Sequence, residues 1–436
     1  MLRTMLLLVL GTGTALTMPA HTSSKPTFTR DVAQILQRNC QTCRRPGEAA
    51  PFSLLTYEQA PPWAKAIKDA VLEKKMPPWF ADPQFGRFAN DASLSQSEIH
   101  TLVARVDSGA ALGDLKDMPA PREFVEGWMI PKPDLIFQLP EPFPVPATGG
   151  MEHQYAIIPT GFARDTWVQH AQAAPTNHSV VHHIVAYVRT PGSNYFKDMP
   201  RNEFFEAPPA MKDGAQAPKD DVPNDWLTGY APGQPPDMFK PGEAKLIPAG
   251  SDIVLEIHYM PQGKATTDQS RLGLVLAKEP PLRHEMTLSA GNSSFKIPPG
   301  DPNFRVDASF TMPEDMTLLG LHPHMHMRGE SAQYRIVFAD GKIETLLNVP
   351  RYNWHWQLWY DLAEPIKLPK GTKLECTEHF DNSKNNSENP DATKTVIWGQ
   401  QSYDEMMVCM FNVSFDATMP TRQILAPARP KSVQER

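Results

Sequence analysis

A chain of 436 residues exceeds what one hydrophobic core organises, so two or three domains are expected, and three fit its segmentation best. The net charge of -7 is spread with both signs mixed, and no basic run or aromatic-basic stripe is present that could track a phosphate backbone, which argues against a nucleic-acid partner. With 45 prolines and 25 glycines against 9% aromatic residues, short strands broken by turns are expected beyond the first hundred residues.

The chain opens on Met1-Leu2-Arg3 and an apolar run from Met5 to Leu10, which predicts a secretory signal over residues 1–20, with a retained anchor as the alternative. No later stretch has the roughly 18 uninterrupted apolar residues of a span, so the reading is an exported protein, periplasmic or extracellular, soluble or tethered only at its start. Residues 27–115 read as helical. Asp31 to Arg38 forms a short amphipathic run, and Thr56-Tyr-Glu-Gln59 and Ser95-Gln-Ser-Glu98 both have the capping-box form ahead of apolar residues at helical spacing. Gly109 is expected to stop the last helix. Pro-rich residues 116–135 read as linker.

Alternating segments separated by Pro, Gly and Asn turns then predict antiparallel sandwiches over 136–280 and 281–425, with a boundary near 275–290 and a tail over 426–436. Pro191 through Lys245, crowded with Pro, Asp and Lys, reads as an extended surface excursion. Of the four cysteines, Cys376 and Cys409 lie in strand-like stretches and are expected to bridge neighbouring strands, since an exported protein keeps disulfides.

Chemistry concentrates in histidines. His182 and His183 are adjacent in Val180-Val-His-His-Ile-Val-Ala-Tyr-Val188, and neighbours on a regular strand point to opposite faces. Both reach one metal only at a strand end or a bulge. His258 lies in a second strand-like run, Ile253-Val-Leu-Glu-Ile-His-Tyr259, where a lone histidine is ordinarily structural. In Leu321-His-Pro-His-Met-His-Met-Arg-Gly329, His324 and His326 are two apart, so on a strand their rings share a face and close on one ion. His322 shares that face, as a third ligand, a support or a substrate contact, the latter two being favoured. Met406, in Asp404-Glu-Met-Met-Val-Cys409, adds a soft thioether that suits Cu(I) and suits Zn(II) poorly. His355 and His379 are read as structural or supporting.

The order His-His, His-Tyr, His-x-His-x-x-Gly, Asp-Glu-Met over about Pro131 to Asp416 resembles the copper type II, ascorbate-dependent monooxygenases, the group of dopamine beta-monooxygenase and the peptide alpha-hydroxylating monooxygenases, and above all their bacterial relatives. The resemblance implies a small all-α cytochrome c-like domain followed by two antiparallel, jelly-roll-like β-sandwich copper domains. It implies two coppers per chain: an electron-transfer copper on His182, His183 and His258, and a catalytic copper on His324, His326 and Met406. It also implies dioxygen, a small-molecule substrate hydroxylated at a C–H bond, and ascorbate or another reductant or redox partner. Peptide-amidating relatives bind the substrate carboxylate with an Arg and a Tyr where this chain has His322 and Met410, so a peptide C-terminal glycine is not the implied substrate.

The N-terminal segment resembles the cytochrome c-like module of bacterial members through Asn39-Cys-Gln-Thr-Cys43, Pro46-Gly-Glu-Ala-Ala-Pro and Met76-Pro-Pro-Trp79. The resemblance implies haem c on Cys40 and Cys43 with Met76 as an axial ligand. Attachment with a proximal ligand requires Cys-x-x-Cys-His, and Arg44 stands in place of that histidine. The favoured reading is a haem-free remnant with the two cysteines free or bridged, against a haem with altered ligation. Two functions of other classes compete: a non-enzymatic exported copper-binding or electron-transfer protein, and a zinc hydrolase, against which Met406 and the lack of a His-Glu-x-x-His helix both count.

Overall fold

The computed structural model describes residues 25–48, 50–208 and 225–425. The signal expected over 1–20 and the tail expected over 426–436 lie outside these. Within them, a small helical module leads into a predominantly β structure of several antiparallel sheets.

The module packs a helical stretch over residues 28–39, the helix Ala64–Leu72 and the helix Gln96–Asp107 around Phe28, Leu36, Leu54, Val71 and Leu102. The second predicted capping box forms: Ser95 Oγ accepts from the Glu98 N–H, and the Glu98 carboxylate accepts from the Ser95 N–H at 2.8 Å. Gly109 follows the last helix with φ +97°, the left-handed region a helix stop favours. The first predicted box does something else. Gln59 Oε1 accepts from the N–H groups of Leu55 and Thr56 and closes a turn. Pro61 and Pro62 have no N–H to carry on a ladder begun at Thr56, so they open a 3-10 turn from which the helix proceeds at Ala64.

From Met76 the chain leaves this module and lies along the C-terminal half. Trp79, Phe80 and Phe88 pack on that half's core, and the Trp79 and Tyr360 rings sit 4.9 Å apart. The Ala89 N–H donates to the Asp361 carbonyl at 2.8 Å, and the Asn90 side chain bonds the Trp359 carbonyl and the Asp361 N–H. The helical module is thereby strapped to the β structure.

The first half is a five-stranded antiparallel sheet in the order Phe204–Glu206, Gln154–Pro159, Asp252–Tyr259, Val181–Arg189, Asp225–Tyr230. It faces the strands Leu135–Gln138, Arg271–Leu276, Thr166–Ala174 and Glu243–Ile247 across a core that includes Ile184, Ala186, Leu255, Ile257 and Leu272. Alternation puts Tyr155, Ile157 and Val254 on the outer face of the five-stranded sheet, where Tyr195, Phe196 and Phe205 cover them. The central strand Asp252–Tyr259 is therefore buried along its whole length.

In the second half the strands Arg283–Gly291, Val408–Asp416, Met316–His324 and Tyr360–Leu368 face a sheet of Phe304–Thr311, Lys373–Phe380, Gly329–Val337 and Ile343–Val349. Cys376 and Cys409 are bridged. They join two facing sheets instead of neighbouring strands of one sheet, because both side chains point into the core between them.

The two halves share one sheet. Glu243–Ile247 pairs in parallel with Arg283–Gly291 through Arg283↔Glu243 and His284↔Ala244, giving a nine-stranded sheet across both. The chain crosses from one half to the other near 275–290, and Arg271–Leu276 and Arg283–Gly291 run in the same direction within the continuing sheet. Lys245 Nζ donates to Thr287 Oγ1 at 2.9 Å, and the Asp225 carboxylate accepts from the Thr287 N–H at 3.2 Å. The expected surface excursion over 191–245 is thus corrected in part. Asp225–Tyr230 and Glu243–Ile247 are strands of the two sheets, formed by apolar residues such as Leu227, Ala244 and Ile247 that turn into the core while prolines fall between them. Residues 209–224 of that segment lie outside the described ones.

Two predictions follow from this packing. Replacing Cys376 and Cys409 together by Ala should lower stability by about 2–4 kcal/mol, read as a fall in the thermal midpoint that reductant reproduces in the parent protein. His284, held by burial and then by the Lys245 charge at a pKa of about 4, stays neutral in the fold. Above pH 6.5 neither state protonates it; between 6.5 and 4 only the unfolded chain does, so stability falls by about 1.4 kcal/mol per pH unit from this group. His284→Gln should flatten the acid limb of the unfolding free energy over that window, measured by denaturant titration.

Candidate metal centres

The first cluster forms on the outer face of the five-stranded sheet. His258 pairs in register with His183 on the neighbouring strand, but Tyr259 pairs with Val181, so His182 is the extra residue of a β-bulge. That bulge turns the rings of two consecutive residues to one side, as the adjacency required. His182 Nδ1 and His183 Nδ1 are 3.1 Å apart, and their ring centroids lie 5.0 and 5.2 Å from that of His258. A third strand brings His153, absent from the sequence reading, to 4.6 Å from His258 and 5.4 Å from His183, ring to ring. His153, His183 and His258 each offer a ligand atom within 4.8 Å of the others.

The second cluster sits where Met316–His324 ends. The strand stops at His324, so His326 lies just beyond it, and the two rings are 5.3 Å apart at 87°. His324 Nδ1 bonds Gln357 Oε1 at 2.9 Å, and His322 Nδ1 bonds the Leu358 carbonyl at 3.0 Å. The Glu405 carboxyl accepts from the N–H groups of His326 and Arg328 at 2.9 and 2.6 Å and so shapes the turn that carries His326. Along Val408–Asp416, His322 pairs with Met410 and His324 with Val408, where the pairing ends; half-buried Met406 lies two residues before that strand begins.

Electrostatics is uniform across both clusters. Burial, then the nearby imidazoles, holds His183, His258 and His326 well below the ordinary histidine range, and brings His182 to about 4 and His322 to about 3. Neutral rings are the ligating form. His326 Nδ1, His322 Nε2 and His153 Nε2 are buried without a hydrogen-bond partner, a condition that a bound cation relieves.

The clusters belong to different halves yet neighbour each other. A charge on His324 is felt by His183, and one on His326 by His258. The segment Tyr352–Leu358 lies between them: the Trp354 ring is 6.0 Å from that of His182, the Trp354 carbonyl accepts from Gln357 Nε2 at 2.8 Å, and Gln357 holds His324. Trp226, from the first half, reaches His322 at 5.8 Å between ring centroids.

The remaining candidates lie elsewhere. Cys40 and Cys43 are free, and burial pushes the Cys40 thiol up to about 11. Arg44, in the position a haem-binding motif gives to histidine, stacks its guanidinium 4.1 Å over the Phe52 ring. Met76 stands at a cis peptide bond to Pro77, where the chain turns away towards the second half, and it is not among the residues packed on the helical core. His355 approaches Glu388 at 3.5 Å, and both its ring and its backbone act on His182. His379 bonds Ser331 Oγ at 3.2 Å on the far sheet. Besides His153, sequence reasoning passed over Glu256 and Gln357, for which no local motif exists, and gave no role to Glu405 of the Asp-Glu-Met run. Their signal is the pairing register, which only the assembled sheets disclose.

No family model and no curated protein matches the chain. Among solved structures, similarity is found to the infectious bursal disease virus VP2 subviral particle, at 9% identity over 69% of this chain and 76% of that one with a TM-score of 0.19, and to the Gt strain of that virus, at 11% identity and 0.16. Scores this low bear on neither fold nor function.

Glu405→Ala should cost about 1–3 kcal/mol for each of the two N–H groups it orphans, seen in chemical denaturation.

Proposed function

We propose that the chain is a copper-dependent monooxygenase that uses dioxygen and an external reductant to hydroxylate a C–H bond of a small molecule. One observation carries the reading: an all-histidine cluster and a two-histidine cluster on a strand paired with the one that follows Met406 neighbour each other in one molecule, with His153 Nε2 in the first and His326 Nδ1 in the second buried and unpartnered. This donor set fits copper better than zinc, because the thioether is a soft ligand matched to Cu(I). Bound there, copper would supply dioxygen reduction at the His324–His326–Met406 centre and one-electron storage at the His182–His183–His258 centre.

The residues divide the remaining work. Gln357 fixes the His324 ring through Nδ1 and leaves Nε2 as its free donor, while Glu405 fixes the backbone of His326. Trp354 and Trp226 occupy the space between the halves and limit water there. Overall, substrate C–H, dioxygen, two electrons and two protons give the alcohol and water. Where peptide-amidating enzymes carry an Arg and a Tyr, His322 and Met410 pair across neighbouring strands and offer no fixed cation for a carboxylate. The electrons are assigned to ascorbate or another diffusible donor: Arg44 on Phe52 supplies no iron ligand, so the helical module does not fit a haem with a proximal ligand. The buried Cys376–Cys409 bridge favours an oxidising, extracytoplasmic compartment.

Metal analysis of the purified protein tests this reading. Two coppers per chain are expected, falling to about one in a His324→Ala/Met406→Ala variant. Met406→Ala alone should reduce reductant-driven oxygen consumption by roughly 10–100-fold while sparing the first centre. Zinc alone, or copper without reductant-driven oxygen consumption, would remove the enzyme reading, the second result favouring a copper carrier.

A further inference from the structure

His153 precedes the strand Gln154–Pro159, which pairs with the His258 strand through Ile257↔Gln154. Continuing that register by one residue sets His153 beside His258, just as His183 stands beside His258 on the opposite flank. Three histidines thus lie in a row across three adjacent strands, at one level and on one face, a spacing of about 4.8 Å between neighbours. Their ligand atoms fall within 4.8 Å of one another.

The two nitrogens of His153 have different surroundings. Nδ1 is 2.7 Å from Glu256 Oε1, and Glu256 shares the outer face because it stands two residues before His258. Nε2 is buried and has no partner. Most buried polar atoms have a hydrogen-bond partner, so an orphaned ring nitrogen asks for an explanation. A ring with a carboxylate behind one nitrogen and an open lone pair on the other is the arrangement of a metal-ligating histidine oriented by its outer-shell partner.

We propose that His153 is a fourth histidine ligand of the first centre and that Glu256 is its positioning residue. The inference rests on the copper reading above and deepens it. With His153, His182, His183 and His258 all available, that centre would be held by imidazoles alone, without a thioether. Electron storage and oxygen chemistry are then separated by ligand count as well as by ligand softness. Glu256 keeps the ring in the tautomer that leaves Nε2 free to bind. Its side chain also hydrogen-bonds that of Tyr187, so the carboxylate is held from two sides.

The test is copper binding by the full chain, stripped and titrated with Cu(II) alone, read by chelator competition and electron paramagnetic resonance. His153→Ala should lower the affinity of one of the two sites roughly 10–100-fold and change the nitrogen superhyperfine pattern of that site only. Glu256→Gln, which preserves volume and a hydrogen bond, should weaken the same site in the same direction and serves if the alanine variant does not fold. Unchanged affinity and spectrum in the folded variants, with His258→Ala still abolishing the site, would overturn the role of His153 and leave the copper reading standing. Failure of the parent chain to bind copper would overturn both.

Discussion

The parallel pairing of Glu243–Ile247 with Arg283–Gly291 is the constraint on which the arrangement of the molecule depends. Without it two sandwiches would be joined only by a turn, and their mutual orientation would be free to vary. Shared backbone hydrogen bonds make the two halves one sheet, and Lys245 and Asp225 lock the junction through Thr287. With that orientation set, the outer face of the five-stranded sheet looks towards the loop after Met316–His324, and Trp226 and Trp354 fill the approach from either side.

Crowding of imidazoles is the second organising feature. Burial and mutual repulsion keep His183, His258 and His326 neutral, and His153 Nε2, His322 Nε2 and His326 Nδ1 stand among the buried groups without a hydrogen-bond partner. Hydrophobic packing elsewhere sustains that cost. The central strand Asp252–Tyr259 is buried from end to end, and its inner and outer faces are each covered by their own apolar cluster. A site that is costly when empty and relieved when filled couples metal binding to stability.

On the proposed copper reading, electron supply and oxygen chemistry are divided between halves that share one sheet. The segment Tyr352–Leu358 is the material link, since it touches His182 through Trp354 and His324 through Gln357. The helical module contributes through its strap along Tyr360 and Asp361, next to Trp359 and the residues that hold His322.

Part of the candidate clusters was legible in the chain because part of their signal is local. The adjacency of His182 and His183 with its demand for a bulge and the Ser95 capping box follow from periodicity and side-chain chemistry, whereas His326 lies beyond the strand expected to carry it and Cys376 and Cys409 join facing sheets instead of neighbouring strands. The Thr56 box misled because two prolines downstream outrank a capping pattern, and residues 191–245 misled because proline content hides strands whose partners are far away in sequence. What the residues alone determined is therefore the strand and helix periods and the kinds of donor atom. Which donors meet was decided only by the tertiary structure, since the row of His153, His258 and His183 exists by virtue of register between distant strands, and register is a property of hydrogen-bonded pairs that no single segment contains.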